Sequence, residues 1–231
     1  AGTANANTKS ITNYLGNVGE EQSDYTTKYA AGTAIDYTYY YYGAGKVQAG
    51  TVANNALVMS QTQKASGRPV AEAITNNTKS ITYYKGDVSL EQSDYTVKYA
   101  NSSVVDYTAY YYDVSGVATR ANNGSTINAR LSLSHTTITA IASGSVAEAN
   151  TKSITSYAGT VGNEQSDITT KYAGLTAIDY TYYFYGSGNA NAGATVNTAL
   201  RTSQTQSTLA RPVAGTANAN TKSITNYLGN V

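Results

Sequence analysis

The sequence predicts an all-β chain made of three tandem antiparallel β-sandwich repeats of about 70 residues. Three observations lead there. Thr-Lys-Ser-Ile-Thr begins at Thr8, Thr78, Thr151 and Thr221, Glu-Gln-Ser-Asp at Glu21, Glu91 and Glu164, and Asp-Tyr-Thr at Asp36, Asp106 and Asp179. All three series share offsets of 70 and then 73, the mark of one structural unit used repeatedly. Second, runs rich in Tyr, Thr, Ile and Val suit a pleated surface, and Gly, Asn and Asp clusters separate them as turns do. Third, five or six such short runs per unit match the strand spacing of a small sandwich.

The first strand is expected over Thr8–Tyr14, ended by Gly16-Asn17, and the second over Ser23–Ala30. The third runs Ala34–Tyr42 and stops at Gly43-Ala44-Gly45, with weaker strands over Lys46–Val52 and Ala56–Gln63. Alternation assigns the faces, because successive side chains of a strand point opposite ways. Ile35, Tyr37, Tyr39 and Tyr41 become Ile178, Tyr180, Tyr182 and Phe184 in the third copy, and Val105, Tyr107, Ala109 and Tyr111 in the second. A face that accepts Phe or Ala for Tyr does not need the hydroxyl, so it reads as core. Ile11, Tyr25, Tyr29, Ile35, Tyr37, Tyr39 and Tyr41 are therefore expected inside, and Asp24, Lys28 and Asp36 outside.

The repeats are placed at residues 1–70, 71–146 and 147–213, the middle one being the most divergent. Residues 214–231 repeat residues 1–18 without a change, which makes a higher period of 213 residues. This final segment opens a fourth unit or serves as a linker. Alone it would leave unpaired backbone groups, so Ser223, Ile224, Thr225, Asn226 and Tyr227 are a candidate donor strand. Exchange between successive units would give closed folds over 19–88, 89–161 and 162–231.

Composition narrows the chemistry. Fifteen Lys and Arg against fourteen Asp and Glu leave a charge of +1, with no field for a nucleic-acid backbone. Cys is absent, which removes disulfides and thiolate sites. The single His, His135, stands in Leu133-Ser134-His135-Thr136 without an acidic orienter or oxyanion hole, so no triad is formed. Glu20 and Glu21 are a carboxylate pair by type alone, and Gly43-Ala44-Gly45 and Gly186-Ser187-Gly188-Asn189 match no phosphate-cradling pattern. No enzyme and no cofactor is expected. No run approaches the ~20 apolar residues of a membrane-spanning helix.

Lys9, Glu21, Gln22, Asp24, Lys28 and Asp36 recur in every unit. They read first as a solvated cross-strand charge ladder. Calcium at the joints finds too few ligands in Glu21 and Asp24, and a Lys28–Asp36 isopeptide bond lacks the buried apolar setting it needs. Tyr40, Tyr42, Tyr110, Tyr112, Tyr183 and Tyr185 fall on the outer face and are candidates for inter-unit or inter-chain contact. Asn76, Asn101 and Asn123 are candidate glycosylation sites in Asn-x-Ser/Thr sequons.

This layout resembles the tandem Ig-like β-sandwich repeats of extracellular filaments, stalks and adhesins, over the whole chain and without a specific family motif. The resemblance implies a structural, non-enzymatic segment of an extracellular fibre or cell-surface filament, partnered by copies of itself in a polymer or longer array. The alternative is an adhesin-type array that binds glycans or a surface through outer tyrosines and loops, and a virion fibre is a third reading.

Overall fold

A computed structural model describes residues 3–121, 126–195 and 197–228. Sixteen antiparallel strands lie in one open sheet, and no helix occurs among the described residues. The all-β class holds. The strands of each repeat stand side by side in that sheet, however, and do not divide into the two facing sheets of an Ig-like sandwich.

Each repeat is a meander. The first contains β1 (Ser10–Leu15), β2 (Gln22–Ala30), β3 (Thr33–Tyr42), β4 (Val47–Gln48) and β5 (Leu57–Gln63). The second contains β6 (Thr78–Lys85), β7 (Gln92–Ala100), β8 (Ser103–Val114), β9 (Val117–Arg120) and β10 (Leu131–Thr137). The third contains β11 (Thr151–Ala158), β12 (Gln165–Ala173), β13 (Thr176–Tyr185), β14 (Ala190–Asn191) and β15 (Leu200–Gln206), and β16 (Thr221–Asn226) follows. The short β4, β9 and β14 hang on the ends of β3, β8 and β13 and take no part in the main path. By compactness the chain forms two units, one running to Tyr107 with Ala121 to Ile127, the other taking in Thr108–Arg120 and the residues from Asn128 onward.

The first strand of a repeat joins the repeat before it and keeps its place in its own. β6 pairs with both β5 and β7, and β11 with both β10 and β12. A strand has two hydrogen-bonding edges, so no strand needs to leave its own repeat to complete another. Residues 1–18 supply β1 to β2 of their own repeat. Ser223, Ile224, Thr225 and Asn226 pair with Thr205, Gln204, Ser203 and Thr202, and the Tyr227 amide donates to the Arg201 carbonyl at 2.9 Å.

The ladder slips by one residue at each main-path pairing of the first repeat and at its junction with the second. The unmatched residues are Asp24 between β1 and β2, Ile35 between β2 and β3, Val58 between β3 and β5, and Lys79 between β5 and β6. In the third repeat they are Asp167, Ile178, Arg201 and Lys222. A bulge residue leaves the two-residue alternation. This corrects the face assignment. Asp24, expected outside, is buried at 7% exposure, and Ile35, expected inside, is 46% exposed. Asp36 is half-buried rather than exposed, as are Ile11, Tyr25, Tyr29 and Tyr37 rather than buried. Away from the bulges the reading is right, with Tyr39 and Tyr41 buried and Lys28 exposed. Tyr42, assigned outside, lies past the slip at Val58 and is buried, its hydroxyl donating to the Ser23 carbonyl at 2.9 Å.

One face of each repeat is covered by the connection that follows its last long strand. A row of directly opposed residues crosses the first repeat and enters the second: Tyr25, Tyr39, Gln61, Ile81 and Val97. Tyr39, Tyr41, Met59 and Ile81 form its buried centre. The Gly67 amide donates to the Tyr39 hydroxyl at 2.8 Å, and the Tyr41 hydroxyl donates to the Pro69 carbonyl at 2.7 Å. Gln61, fully buried, donates through Nε2 to the Ala73 carbonyl at 2.7 Å and accepts from the Glu72 amide at 3.1 Å. Gln204 does the same with Thr216 and Gly215. In the middle repeat His135 takes this place, also fully buried, with Nδ1 2.8 Å from the Gly144 carbonyl and Nε2 2.8 Å from Thr151 Oγ1.

The other face carries hydroxyls that pair across strands. Thr12–Thr26 at 2.8 Å, Thr38–Thr62 at 2.9 Å and Thr82–Thr96 at 2.8 Å form the row in one unit, and Thr155–Thr169 and Thr181–Thr205 continue the pattern in the other. Each such pair contributes about 0.2–1 kcal/mol and penalises a slip in register.

Two outcomes test this fold. Gln61→Ala leaves the Glu72 amide and the Ala73 carbonyl without their partner and is expected to cost about 2–4 kcal/mol in a denaturant melt. Gln61→His, which copies the middle repeat, is expected to cost clearly less. Burial also pushes the Tyr42 and Tyr185 phenols up to about 12. The unfolded chain ionises its tyrosines near ~10 while these stay protonated in the fold, so the folded state binds more protons above that pH and stability falls as pH rises toward about 12. Tyrosinate absorbance and circular dichroism, followed together, should show ionisation of the buried phenols coinciding with unfolding.

Candidate functional site

The recurring polar residues have positions that alternation alone does not reveal. Lys79, thrown out by its bulge, reaches back 43 residues in sequence to Asp36 of the preceding repeat, with Nζ 2.7 and 2.8 Å from the two carboxylate oxygens. Lys222 holds Asp179 in the same way. Glu91 Oε1 accepts from the Leu57 amide at 2.9 Å, and Glu164 Oε1 from the Leu131 amide at 3.0 Å. Gln63 Nε2 donates to Thr78 Oγ1 at 3.1 Å, and Gln206 to Thr221 at 3.0 Å. The Lys and Thr of Thr-Lys-Ser-Ile-Thr and the Glu of Glu-Gln-Ser-Asp thus serve the repeat before their own. Gln22 works inside its repeat, donating to the Asn55 carbonyl at 3.0 Å and accepting from the Gly50 amide at 3.1 Å. Asp36, read from sequence as part of a solvated charge ladder, is bridged by Lys79 of the next repeat. Lys28 stays exposed opposite Asp36.

Asp24 is the most enclosed carboxylate of the first repeat. Arg68 binds its carboxylate, donates to its carbonyl at 2.7 Å and to the Tyr40 carbonyl at 3.0 Å, and lies 5.0 and 5.2 Å from the ring centres of Tyr39 and Tyr41. Gln48 Nε2 adds a bond to Asp24 Oδ1 at 2.9 Å. Arg211 repeats the arrangement on Asp167, 4.9 Å from the Tyr182 ring centre. The tripeptide Arg-Pro-Val occurs at Arg68 and again at Arg211, but no local pattern points this arginine at an aspartate 44 residues away. Among the described residues no group of three or more His, Asp or Glu side chains is placed to hold a metal ion.

Four of the six outer-face tyrosines, Tyr40, Tyr42, Tyr183 and Tyr185, form hydrogen bonds within their own repeats. Tyr40 and Tyr183 hydroxyls lie 3.1 and 3.0 Å from Thr26 and Thr169, and Tyr185, like Tyr42, is buried and donates to a carbonyl, that of Ser166, at 2.9 Å. Tyr110 is half-buried and Tyr112 buried. Of the tyrosines that cross between repeats, Tyr227 stands in the candidate donor strand, while nothing in the sequence singles out Tyr84 or Tyr157. Tyr84, Tyr157 and Tyr227 hydroxyls meet Ser60, Ser134 and Ser203 at 3.1, 3.1 and 3.2 Å. Asn76 is exposed with Oδ1 accepting from Ser102 at 2.8 Å, Asn101 is exposed at the turn into β8, and Asn123 lies outside the described residues.

One cluster has no counterpart in the other repeats. Tyr83 and Tyr95 face each other across β6 and β7, with ring centres 4.5 Å apart and planes at 21°. The Tyr83 hydroxyl donates to Glu72 Oε1 at 2.9 Å, and Lys46 Nζ stands 2.6 Å from the same oxygen. Lys46 and its hydrogen bond hold the Glu72 carboxyl below its ordinary value, while burial and then Glu72 itself push the Tyr83 phenol up. Lys46, Tyr83, Tyr95, Lys85 and Asp94 line a cleft of 350 Å³. Lys46 and Glu72 adopt left-handed backbone, φ 50° and 66°, where the third repeat has Asn189 and Gly215 at 51° and 73°. A Lys and a Glu at these positions cost about 1–2 kcal/mol each relative to glycine. Repeated scaffold needs neither residue, so the cluster is the candidate functional site.

No protein-family model matches the chain, and no curated protein matches its sequence. No helix among the described residues is long and apolar enough to cross a membrane.

The two kinds of ion pair should separate on mutation. Arg68→Ala leaves the buried Asp24 carboxylate without its cation and is expected to cost about 3 kcal/mol by chemical denaturation. Lys79→Ala removes a more exposed cation and is expected to cost under about 1 kcal/mol.

Proposed function

We propose that the chain is a structural, non-enzymatic segment of an extracellular fibre, in which tandem β repeats continue one sheet and copies of the chain or further repeats are the partners. The observation that carries this reading is the repetition of the junction. At β5–β6 and again at β15–β16, a strand pairing is reinforced by a Lys–Asp bridge, a Gln–Thr bond and a Tyr–Ser bond. Residues that recur along the sequence are thus spent on joining repeats, as a load-transmitting array requires and an isolated binding module does not. Stability in such an array is the sum of repeat terms and nearest-neighbour terms. The hydroxyl-rich composition without cysteine is compatible with an extracellular setting.

Two measurements test it. Antibodies against the chain should label regular filaments outside the cells that make it, while diffuse intracellular labelling would overturn the proposal and isolated flexible stalks with a distinct tip would favour the adhesin. A doubled chain, made by continuing residues 19–231 after Val231, should melt in one transition several degrees higher, roughly in line with added junctions. An unchanged melting temperature would contradict coupling between repeats.

A further inference from the structure

We propose that Tyr83 and Tyr95 are a self-crosslinking pair, joined as dityrosine across β6 and β7 when a one-electron oxidant reaches the protein. This goes beyond the fibre reading and does not depend on it. The two rings are directly opposed on neighbouring strands and stacked, 4.5 Å between centres and 21° between planes. Coupling of two phenoxyl radicals requires ortho carbons to meet, and stacked rings on a rigid ladder meet that condition with little movement.

The cluster also supplies a proton acceptor. When Tyr83 gives up an electron, its hydroxyl proton moves along the existing 2.9 Å hydrogen bond to the Glu72 carboxylate and from there to solvent, since Glu72 is exposed. An oxidised phenol is a strong acid, so a carboxylate suffices as base. Lys46, 2.6 Å from the receiving oxygen and 6.0 Å from the Tyr83 ring centre, fixes Glu72 in place. Tyr95, half-buried at the cleft, loses its electron to the oxidant and its proton to water. The two radicals form one carbon–carbon bond between ortho positions, and each ortho hydrogen then transfers to its oxygen to restore a phenol. Two electrons and two protons leave in all. Hydrogen peroxide, acting through a haem peroxidase, accepts them and becomes two water molecules.

The chain contains its own comparison. In the first repeat the equivalent rows hold Asn13 opposite Tyr25; Tyr25 is also opposed to Tyr39 on the next strand, but those ring centres are 5.9 Å apart and tilted by 34°, and the Tyr39 hydroxyl accepts from the Gly67 amide instead of donating to a carboxylate. The third repeat has Ser156 opposite Ile168. One site per three repeats is therefore expected, in a chain that has no cysteine for a disulfide.

The full chain is treated with hydrogen peroxide and a haem peroxidase, then digested after Lys and mapped by mass spectrometry. The expected product is a monomer with dityrosine fluorescence in which peptide 80–85 is linked to 86–98 through Tyr83, two hydrogen atoms lighter than the separate peptides. Tyr95→Phe, which retains ring packing, should abolish that linked pair. Glu72→Gln should slow its formation at least about tenfold and flatten its pH dependence, with circular dichroism reporting that each variant is folded. Equal yields at Tyr25–Tyr39, links confined to different molecules, or an unchanged rate in Glu72→Gln would each overturn the proposal.

Discussion

A chain that crosses the face of its own sheet hides its backbone from water, and every N–H and C=O so hidden needs a partner. Gln61, His135 and Gln204 meet that requirement, each fully buried on the last long strand of its repeat and each bonding the backbone or the threonine that follows. The rest of the covered face depends on this capture. With the connection held down, Tyr39 and Tyr41 gain both apolar cover and hydroxyl partners, and Arg68 is carried to Asp24. A primary amide and an imidazole are interchangeable here because each offers two polar atoms on opposite sides of a flat group.

The sequence motifs that repeat are, in large part, the places where the ladder slips. The Asp of Glu-Gln-Ser-Asp and the Lys of Thr-Lys-Ser-Ile-Thr are the unmatched residues of their pairings, and the Ile before Asp-Tyr-Thr is another. A bulge re-aims one side chain without ending the strand. That is how Asp24 turns inward to Arg68 and how Lys79 turns toward an aspartate of the repeat before. Four slips in the first repeat and four in the third make pairing specific, since a strand displaced by one residue would misplace every bulge and every threonine pair together.

Against this scaffold the cluster at Tyr83 stands apart. Other repeats fill the Tyr83 position with Asn or Ser and the Tyr95 position with Tyr25 or Ile168, and Lys46 and Glu72 take backbone conformations that favour glycine. Strain of that kind persists where surrounding contacts over-determine it, and here the contacts are an ion pair, a phenol–carboxylate hydrogen bond and a ring stack. In a chain without thiols, such a constellation offers a covalent tie between strands that are otherwise joined by hydrogen bonds and packing.

Local information determined the all-β class, the three-fold repeat with its divergent middle copy, and the burial of Tyr39 and Tyr41, because strand propensity, turn residues and two-residue alternation are properties of neighbouring residues. Alternation carried as far as each bulge and failed there. Asp24 and Ile35 were assigned to the wrong faces for a single reason, one extra residue that nothing in the local pattern distinguishes from its neighbours. Only the tertiary structure decided that the strands form one sheet in place of sandwiches, that Asp36 belongs to Lys79 and not to Lys28, and that Lys46, Glu72, Tyr83 and Tyr95 converge. These facts rest on which strand edges meet and in what register, and register is set by the summed fit of bulges, threonine pairs and captured connections across tens of residues, a quantity that no single stretch of sequence contains.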